Sequence, residues 1–255
     1  MWLERLIRAV GPVIGMAIAT RCGAGRFEFN GTRFDGRQGL KLAELDLSGA
    51  PPQEVILVSP DQVHIRMGDA FAIEVEGEVE ARDCLRFHRE GTVLTIMREP
   101  GRRNDAAAAT VTLTMPALGR VSVAGSGTMR ISAMASDAAV VIAGSGKVEA
   151  DTLAVQRLAV TIAGSGNFIA SGSAGKLALT VAGSGMAAMD ALKVDCARIE
   201  IAGSGNSRFA SDGEVAARIV GSGSVTVRGT AKCSVQSFGS GRLVCEPGEE
   251  RPAAA

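Results

Sequence analysis

Hydrophobic and polar residues alternate in short runs along most of this 255-residue chain, and beyond residue 120 the runs become a repeat. Gly-Ser-Gly occurs seven times, at intervals of 19, 20, 19, 20, 18 and 18 residues. Ahead of five of these turns stands an apolar pair at alternate positions, such as Val160 and Ile162. A sequence that resembles itself at a nearly constant period of this size predicts a solenoid.

Each repeat holds about three short alternating segments. A second segment follows the turn, as in Phe168 and Ala170, and a third often comes after it, as in Leu153 and Val155. Strands this short cannot bury an apolar face alone, but coils stacked at about 4.8 Å can. Parallel connections of this kind are right-handed. We therefore predict an all-β fold, a right-handed parallel β-helix with about 19 residues per coil, preceded by irregular β-strands.

The glycines of the repeat are expected at stacked corners, where the backbone of one coil meets the next. Glycine accepts positive φ and leaves room for the coil above, while serine can bond its own turn or a neighbouring serine. Phosphate binding needs a helix after the Gly-rich turn. Here strands are predicted on both sides of each turn, so phosphate binding is not expected. The predicted structural turn glycines are Gly125, Gly127, Gly144, Gly146, Gly164, Gly166, Gly183, Gly185, Gly203, Gly205, Gly221, Gly223, Gly239 and Gly241. The expected serine ladder is Ser126, Ser145, Ser165, Ser184, Ser204, Ser222 and Ser240.

Alternation also predicts short strands before the repeat, separated by turn residues. The predicted strands cover residues 42–47, 54–58, 62–67, 71–80, 84–90, 92–99 and 110–115. Residues 100–109 interrupt the series and are expected to form a polar, solvated loop. The folded domain is therefore expected over residues 40–246, with its Gly-Ser-Gly repeats at 121–245.

The two ends of the chain lack this pattern. Residues 9–20 are uncharged, and they are too few to span a bilayer, which takes about 20 apolar residues. They fit a secretory signal with a small-residue cleavage site. Residues 1–20 are thus expected to be a signal peptide or an N-terminal helix, and no integral membrane span is expected beyond this possible leader. Residues 21–39 are expected to be a linker and 247–255 a disordered tail.

Composition narrows the classes of function. Acidic and basic residues balance, with 27 of each, so no nucleic-acid partner is expected. Tyr is absent and aromatic residues are rare, which suits narrow layers of small and β-branched side chains. None of the five cysteines forms a Cys-x-x-Cys pair, and neither a metal site nor a cofactor is expected. A disulfide such as Cys233–Cys245 is possible in an oxidising compartment.

The repeated corners resemble a known family. The segments VSVAGSG, VVIAGSG, VTIAGSG, LTVAGSG and IEIAGSG are similar to the putative auto-transporter adhesin head GIN domain, and the resemblance covers residues 42–245. The chain departs from the family at Arg228-Gly229-Thr230, where Gly-x-Pro is often found. The resemblance implies a right-handed β-helix in a secreted or cell-envelope protein. Auto-transporters carry a C-terminal barrel, and no alternating barrel segments follow Cys245, so self-export is not expected.

The sequence predicts no cluster of catalytic residues. The β-helical lyases and hydrolases need clustered carboxylates, but the acidic residues of this repeat predict no acidic column. Asp190, Lys193 and Asp195 form one small polar group. His64 and His88 flank apolar residues of predicted strands, so we expect strand residues rather than ligands or bases. The acidic residues of the repeat are Asp137, Glu149, Asp151, Asp190, Asp195, Glu200, Asp212 and Glu214.

These observations predict a secreted, periplasmic or cell-envelope module that is adhesin-like and without catalysis. Its partner is expected to be a surface glycan or a protein. Two alternatives stay open: an intracellular β-helix scaffold that self-assembles, as bactofilins do, and a carbohydrate-active enzyme. Self-assembly needs uncapped coil ends, and the extra chain on both sides of the repeat is expected to cap them.

Overall fold

The computed structural model describes residues 26–29, 32–35, 39–99, 107–116 and 118–247. The predicted leader (1–20), parts of the predicted linker and most of the tail lie outside the described residues. Within these residues, a 3-10 helix lies at Leu42–Glu44 and an α-helix, α1, lies at Val79–Cys84. The strands are β1 (Arg26–Phe29), β2 (Thr32–Asp35), β3 (Glu54–Leu57), β4 (Gln62–Met67), β5 (Ala72–Glu76), β6 (Leu85–Glu90), β7 (Val93–Arg98), β8 (Thr110–Met115), β9 (Leu118–Gly125), β10 (Thr128–Ile131), β11 (Met134–Gly144), β12 (Lys147–Gly164), β13 (Asn167–Gly183), β14 (Met186–Gly203), β15 (Asn206–Gly221), β16 (Ser224–Arg228), β17 (Lys232–Phe238) and β18 (Arg242–Glu246).

The repeat folds into stacked parallel coils. Each coil runs along a long face to a Gly-Ser-Gly corner, crosses a second face and returns along a short third face. In β12 to β15 the faces join into strands of 16 to 18 residues. Equivalent residues pair in register, so that Gly144 lies between Gly125 and Gly164. With about seven turns of about 19 residues, this is the predicted parallel β-solenoid; its right-handed sense stays a prediction.

The region before the repeat adds two coils, stacked out of sequence order. β3 lies between β7 and β9, and β4 lies between β8 and β10, all in parallel. Beyond them, β5 pairs antiparallel with β8, and β6 pairs antiparallel with β7. These antiparallel strands cover the interior at the N-terminal end of the solenoid, whereas the cap expected at the C-terminal end is not present in the described residues, where all of β17 is exposed.

The predicted strand at 42–47 is wrong, because none of these residues belongs to a strand. Residues Leu42–Glu44 form a 3-10 helix, because the side chain of Glu44 accepts the N–H of Lys41 at 3.1 Å and closes the turn. Leu42 and Leu45 then pack against the core from positions three residues apart, a spacing that fits a helical turn as well as an irregular strand.

The predicted strand at 71–80 is too long. It ends at Glu76, because Gly77 takes φ +131°, which breaks the extended backbone. The α1 helix follows, and it buries Ala81 and Cys84 three residues apart on one face. A single turn of this kind carries no sustained helical periodicity, so the sequence pattern could not separate it from a strand.

The core is a continuous column of aliphatic side chains inside the coil. On the long face, Val140, Val160, Leu179 and Ile199 stack in register, and each is at most 1% exposed. Branched side chains fit this site because their stiff rotamers pack well on a pleated surface. The few aromatic side chains in the core, such as Phe168, are fully buried among them.

One buried ion pair fixes the capping region to the stack. The carboxylate of Asp61 is fully buried and accepts hydrogen bonds from the Arg98 guanidinium at 2.6 and 2.9 Å. It also accepts the N–H of Ala109 at 2.8 Å. The hydrogen bond to Asp61 raises the pKa of Arg98 above its ordinary value. Asp61 therefore joins β7 and the start of β8 to the turn between β3 and β4.

The Gly-Ser-Gly corners stack backbone on backbone. The first glycine of each corner has positive φ, for example +117° at Gly164, which only glycine adopts without strain. A Cβ added there would lie 2.6 Å from the carbonyl oxygen of Gly144 in the coil below. The same carbonyl accepts the N–H of Ser165 at 2.9 Å. The ladder along these corners is thus made by the serine N–H groups, while the serine hydroxyls face solvent.

The C-terminal coil is the open end of the described structure. All seven residues of β17 are exposed, although its strand continues the register of the buried strands before it. A disulfide joins Cys233 in β17 to Cys245 in β18. Both cysteines continue inward-facing columns, so the disulfide crosses the interior of the last coil. The sequence left this pairing open, and the structure contains it within one coil rather than between neighbouring coils.

Candidate functional site

An open groove follows the solenoid axis along one edge of the long face. Its volume is about 1110 Å³, and it crosses the levels of nine strands, β7, β3, β9, β11 to β15 and β17. Eight steps at the usual strand spacing give a length of about 38 Å. We call this feature the axial groove. It lies where each long face begins, whereas the Gly-Ser-Gly corners lie where that face ends.

The floor of the axial groove is a column of mainly small side chains. Each residue stands five positions before the first glycine of its corner, and neighbours pair in register. The column is Arg120, Ala139, Ala159, Ala178, Arg198, Ala216 and Ser234. Three alanines in succession leave room for a ligand to approach the sheet, and an arginine stands at each end of that stretch.

The rim of the axial groove is a column of long polar side chains, seven positions before the same glycine. This column is Asp137, Arg157, Lys176, Cys196, Glu214 and Lys232. Acidic and basic residues are mixed along it, so this column is not an acidic one. Cys196 is a free and exposed thiol at the centre of the rim.

Electrostatic pairing in the groove is incomplete. Arg157 forms two hydrogen bonds of 2.5 Å to Asp137, and this contact lowers the pKa of the Asp137 carboxyl and raises the pKa of Arg157. Within the described residues, Arg120, Lys176 and Lys232 form no ion pair. The groove lining holds five basic and three acidic side chains, so it keeps an excess of positive charge, and three of its cations stand outside ion pairs in the described part of the chain.

The predicted polar group of Asp190, Lys193 and Asp195 is divided between two contacts. Asp190 lies near Arg208 and Arg228, at 3.6 and 3.7 Å. Lys193 pairs with Asp212 of the next coil at 2.9 Å. The hydrogen bond from Lys193 and those from Thr230 lower the pKa of Asp212 to about 2.

These contacts are side-chain pairs between neighbouring coils on the outer surface, away from the axial groove. Asp195 contributes only a weaker attraction that raises the pKa of Lys193. The arrangement brings opposite charges together and leaves no concave carboxylate cluster at this place. It therefore stabilises the stack locally rather than forming the acidic site that a β-helical lyase needs.

The histidines lie in strands, as predicted. His64 is part of β4 and His88 is part of β6, and both are partly buried. Neither belongs to the lining of the axial groove. Across residues 39–99, 107–116 and 118–247 no three His, Cys, Asp or Glu side chains lie close enough to hold a metal ion. In the same ranges, no helix has the length and apolar character that crossing a membrane requires.

The axial groove was not predicted from the sequence, although a signal for it is present. The rim and floor residues stand at fixed offsets of seven and five from the repeated glycines. Listing every residue by its offset, rather than the acidic ones alone, would have aligned Arg157 with Lys176 and Lys232. The concave shape itself depends on how the third face turns into the long face, which no offset reveals.

The chain is thus a parallel β-solenoid with a charged groove along its axis. Residues 51–231 match the family described as "Putative auto-transporter adhesin, head GIN domain", and the chain belongs to this family. No curated protein matches the chain.

Solved structures share the fold. A putative adhesin from Bacteroides fragilis aligns with a TM-score of 0.70 and 17% identity, over 76% of this chain and 92% of that one. A putative lipid binding protein from Parabacteroides distasonis aligns with a TM-score of 0.60 and 22% identity, over 77% and 93%. A putative adhesin from Parabacteroides merdae aligns with a TM-score of 0.58 and 15% identity, over 76% and 91%. At these identities the likeness shows the fold alone.

Proposed function

We propose that this chain is a non-catalytic, adhesin-like binding module of the secreted or cell-envelope space. It holds an extended acidic glycan in the axial groove. The observation that carries this proposal is the excess of basic over acidic side chains along a continuous groove of about 1110 Å³. Membership of an adhesin-like family supports a binding role.

The shape of the groove favours a linear ligand. The groove runs along successive coils, so each step offers the same backbone and a new pair of rim and floor side chains. Its length of about 38 Å, from the strand spacing, suits a chain molecule better than a compact one. The alanines at 139, 159 and 178 let such a chain lie close to the sheet.

The charges of the groove favour an anionic ligand. Arg120, Lys176 and Lys232 form no ion pair within the described residues. Arg198 lies 3.3 Å from the carboxylate of Glu200, and the Arg198 side chain is exposed. Tyr is absent from the chain and Trp occurs once, outside the described residues. With this composition, the groove recognises its ligand by charge rather than by stacking on aromatic rings.

The disulfide supports a location outside the cytoplasm. Disulfides persist in oxidising compartments and are rare in the reducing cytosol. We expect full-length protein with a C-terminal tag to be exported with loss of the leader, and a variant lacking residues 1–19 to stay in the cytoplasm. Full-length protein found in the cytoplasm at its complete mass would contradict the location.

Binding is tested with polygalacturonate and its methyl ester, which share a backbone but differ in charge. We expect the acidic polymer to bind in isothermal titration calorimetry, the ester to bind far more weakly, and added salt to weaken binding by screening. Equal binding of the two polymers, or no binding of either, would contradict an acidic ligand. Binding of anionic lipid vesicles alone would favour a lipid instead.

Charge reversal locates the binding face. Lys176→Glu and Lys232→Glu should each weaken binding roughly threefold or more, because an exposed ion pair contributes about 0.2–1 kcal/mol and reversal adds repulsion. Arg66→Glu is the matched control, since Arg66 is an exposed cation of β4 outside the groove. A loss of affinity as large in the control as in the groove variants would place the ligand elsewhere.

A further inference from the structure

The last coil leaves part of the solenoid interior uncovered. In the preceding coil, the inward-facing residues Val215, Ala217 and Ile219 of β15 are at most 5% exposed. They pair in register with Cys233, Val235 and Ser237 of β17, which are all exposed. Val235 is 48% exposed, although its column is buried in every coil of the repeat before it. The described residues thus end on a coil whose inward-facing side chains, Val235 among them, are exposed where the side chains of earlier coils are covered by the next coil.

The backbone of this coil is also open. Within the described part of the chain, β17 pairs only with β15, and β18 pairs only with β16. Such an edge presents unpaired N–H and C=O groups that can accept another strand. The opposite end differs in its side chains, because the antiparallel strands β5 and β6 cover the interior there and bury Ile73, Leu85 and Phe87.

We propose that the terminal coil binds the terminal coil of a second copy of this chain, so that the protein is a tail-to-tail dimer. A two-fold axis brings the same surface from each copy together. It aligns β17 antiparallel with β17 of the partner subunit, centred on Val235. The two valines then meet at the axis, and the inward columns of the two solenoids become one continuous core.

The charges of β17 are compatible with this pairing. Lys232 is the only charged residue of the strand, and it stands at one end. Antiparallel pairing about Val235 sets it opposite Phe238 of the partner subunit rather than opposite another lysine. Ser234 and Gln236 also face each other across the axis, both polar and uncharged. No like charges meet along the seven-residue strand.

A dimer, rather than a filament, follows from the capped end. Head-to-tail stacking needs two open and complementary ends. Among the described residues only the C-terminal end exposes its inward-facing side chains, so association through this apolar contact stops when two such ends have met. This arrangement would give one particle two axial grooves, each of which reaches the contact, because Lys232 and Ser234 of β17 line the groove.

The test measures the mass of the full chain in solution by analytical ultracentrifugation. We expect twice the chain's 26.2 kDa, and a fall to 26.2 kDa for Val235→Lys and for Val235→Glu. Mixing the two variants should restore a dimer, because the opposite charges meet at the axis. This rescue also shows that both variants are folded. Ile169→Lys is the matched control, since Ile169 is an exposed apolar residue of the second face, and it should stay dimeric.

Three results would overturn the proposal. The first is a full chain that is monomeric at high concentration. The second is a dimer that survives Val235→Lys, since its interface would then lie elsewhere. The third is a full chain that is monomeric and dimerises only after residues 247–255 are removed, because this tail would then be what covers the terminal coil.

Discussion

Substitution of one corner glycine by alanine measures the stacking of the coils directly. The chain offers a matched pair, because Gly125 and Gly164 have nearly the same φ, +116° and +117°. A Cβ at Gly125 would meet nothing within 4 Å. A Cβ at Gly164 would lie 2.6 Å from the carbonyl oxygen of Gly144. Both variants carry the backbone strain, and only Gly164→Ala carries the clash with the coil below.

The two contributions can be estimated separately. A non-glycine residue at strained positive φ costs about 1–3 kcal/mol, and this applies to both variants. Forcing a carbon into a closely packed contact costs about a further 1–3 kcal/mol at Gly164. The clash also displaces the carbonyl that accepts the N–H of Ser165, a hydrogen bond that contributes about 1 kcal/mol. We therefore expect Gly164→Ala to be less stable than Gly125→Ala by about 1–4 kcal/mol.

Thermal unfolding followed by circular dichroism measures this difference. For a domain of this size, 1 kcal/mol shifts the midpoint by about 2–4 °C, so Gly164→Ala should melt several degrees below Gly125→Ala. Gly164→Val should be lower still, because its branches extend the clash. Equal midpoints for the two alanine variants would refute the stacked-corner argument, since backbone strain alone would then explain the loss.

Three further results follow from the structure. Asp61→Ala should lower the free energy of unfolding by about 3–5 kcal/mol in urea titrations, because it breaks a buried ion pair and removes the acceptor of the Ala109 N–H; a loss below 1 kcal/mol would show the pair to be dispensable. Reduction of the Cys233–Cys245 disulfide, which joins residues 12 positions apart, should lower the free energy of unfolding by about 2–4 kcal/mol and speed hydrogen exchange first in β17 and β18. Exchange that speeds up uniformly along the chain would argue against a local role of the disulfide. The pKa of Asp212 is lowered from 3.8 to about 2, so the stability that its carboxylate contributes is present above pH 4 and is lost as the pH falls through about 2. Carbon-13 NMR titration of the Asp212 carboxyl measures this pKa, and a midpoint near 4 would contradict the contact with Lys193.

The repeat could be predicted from the sequence because the same local rule recurs in every coil. Seven turns of one composition, with apolar pairs at a fixed offset, determine both the register and the inward face. Val160 and Ile162 are buried for the same reason as Val140 and Ile142 one coil earlier. A strand that is ambiguous in one coil can be assigned from the equivalent strands of the neighbouring coils, so the period is informative even where a single strand is not.

The capping region was predicted less well because each of its elements occurs once. The turn at Gly77 and the 3-10 helix at Leu42–Glu44 depend on single backbone and side-chain interactions. The out-of-order stacking of β3 between β7 and β9 joins residues far apart in sequence, and no periodic pattern records such a contact. The pairing of Asp61 with Arg98 is invisible for the same reason.

The axial groove was missed for a different reason. Its rim mixes acidic, basic and neutral residues, so a search for a column of one charge passes over it. Lys176 and Lys232 gain meaning only when the structure shows that both border the same concave surface as Cys196.

Alkylation of Cys196 tests the central claim, that the axial groove holds an acidic chain, most directly. Cys196 is an exposed free thiol on the rim, whereas Cys84 is buried and Cys233 and Cys245 are joined in the disulfide. The rate of its modification by iodoacetamide can be followed by peptide mass spectrometry. We expect polygalacturonate to slow this rate severalfold and its methyl ester to leave the rate unchanged. An unchanged rate while the polymer is bound would contradict the account, because the ligand would then lie outside the groove.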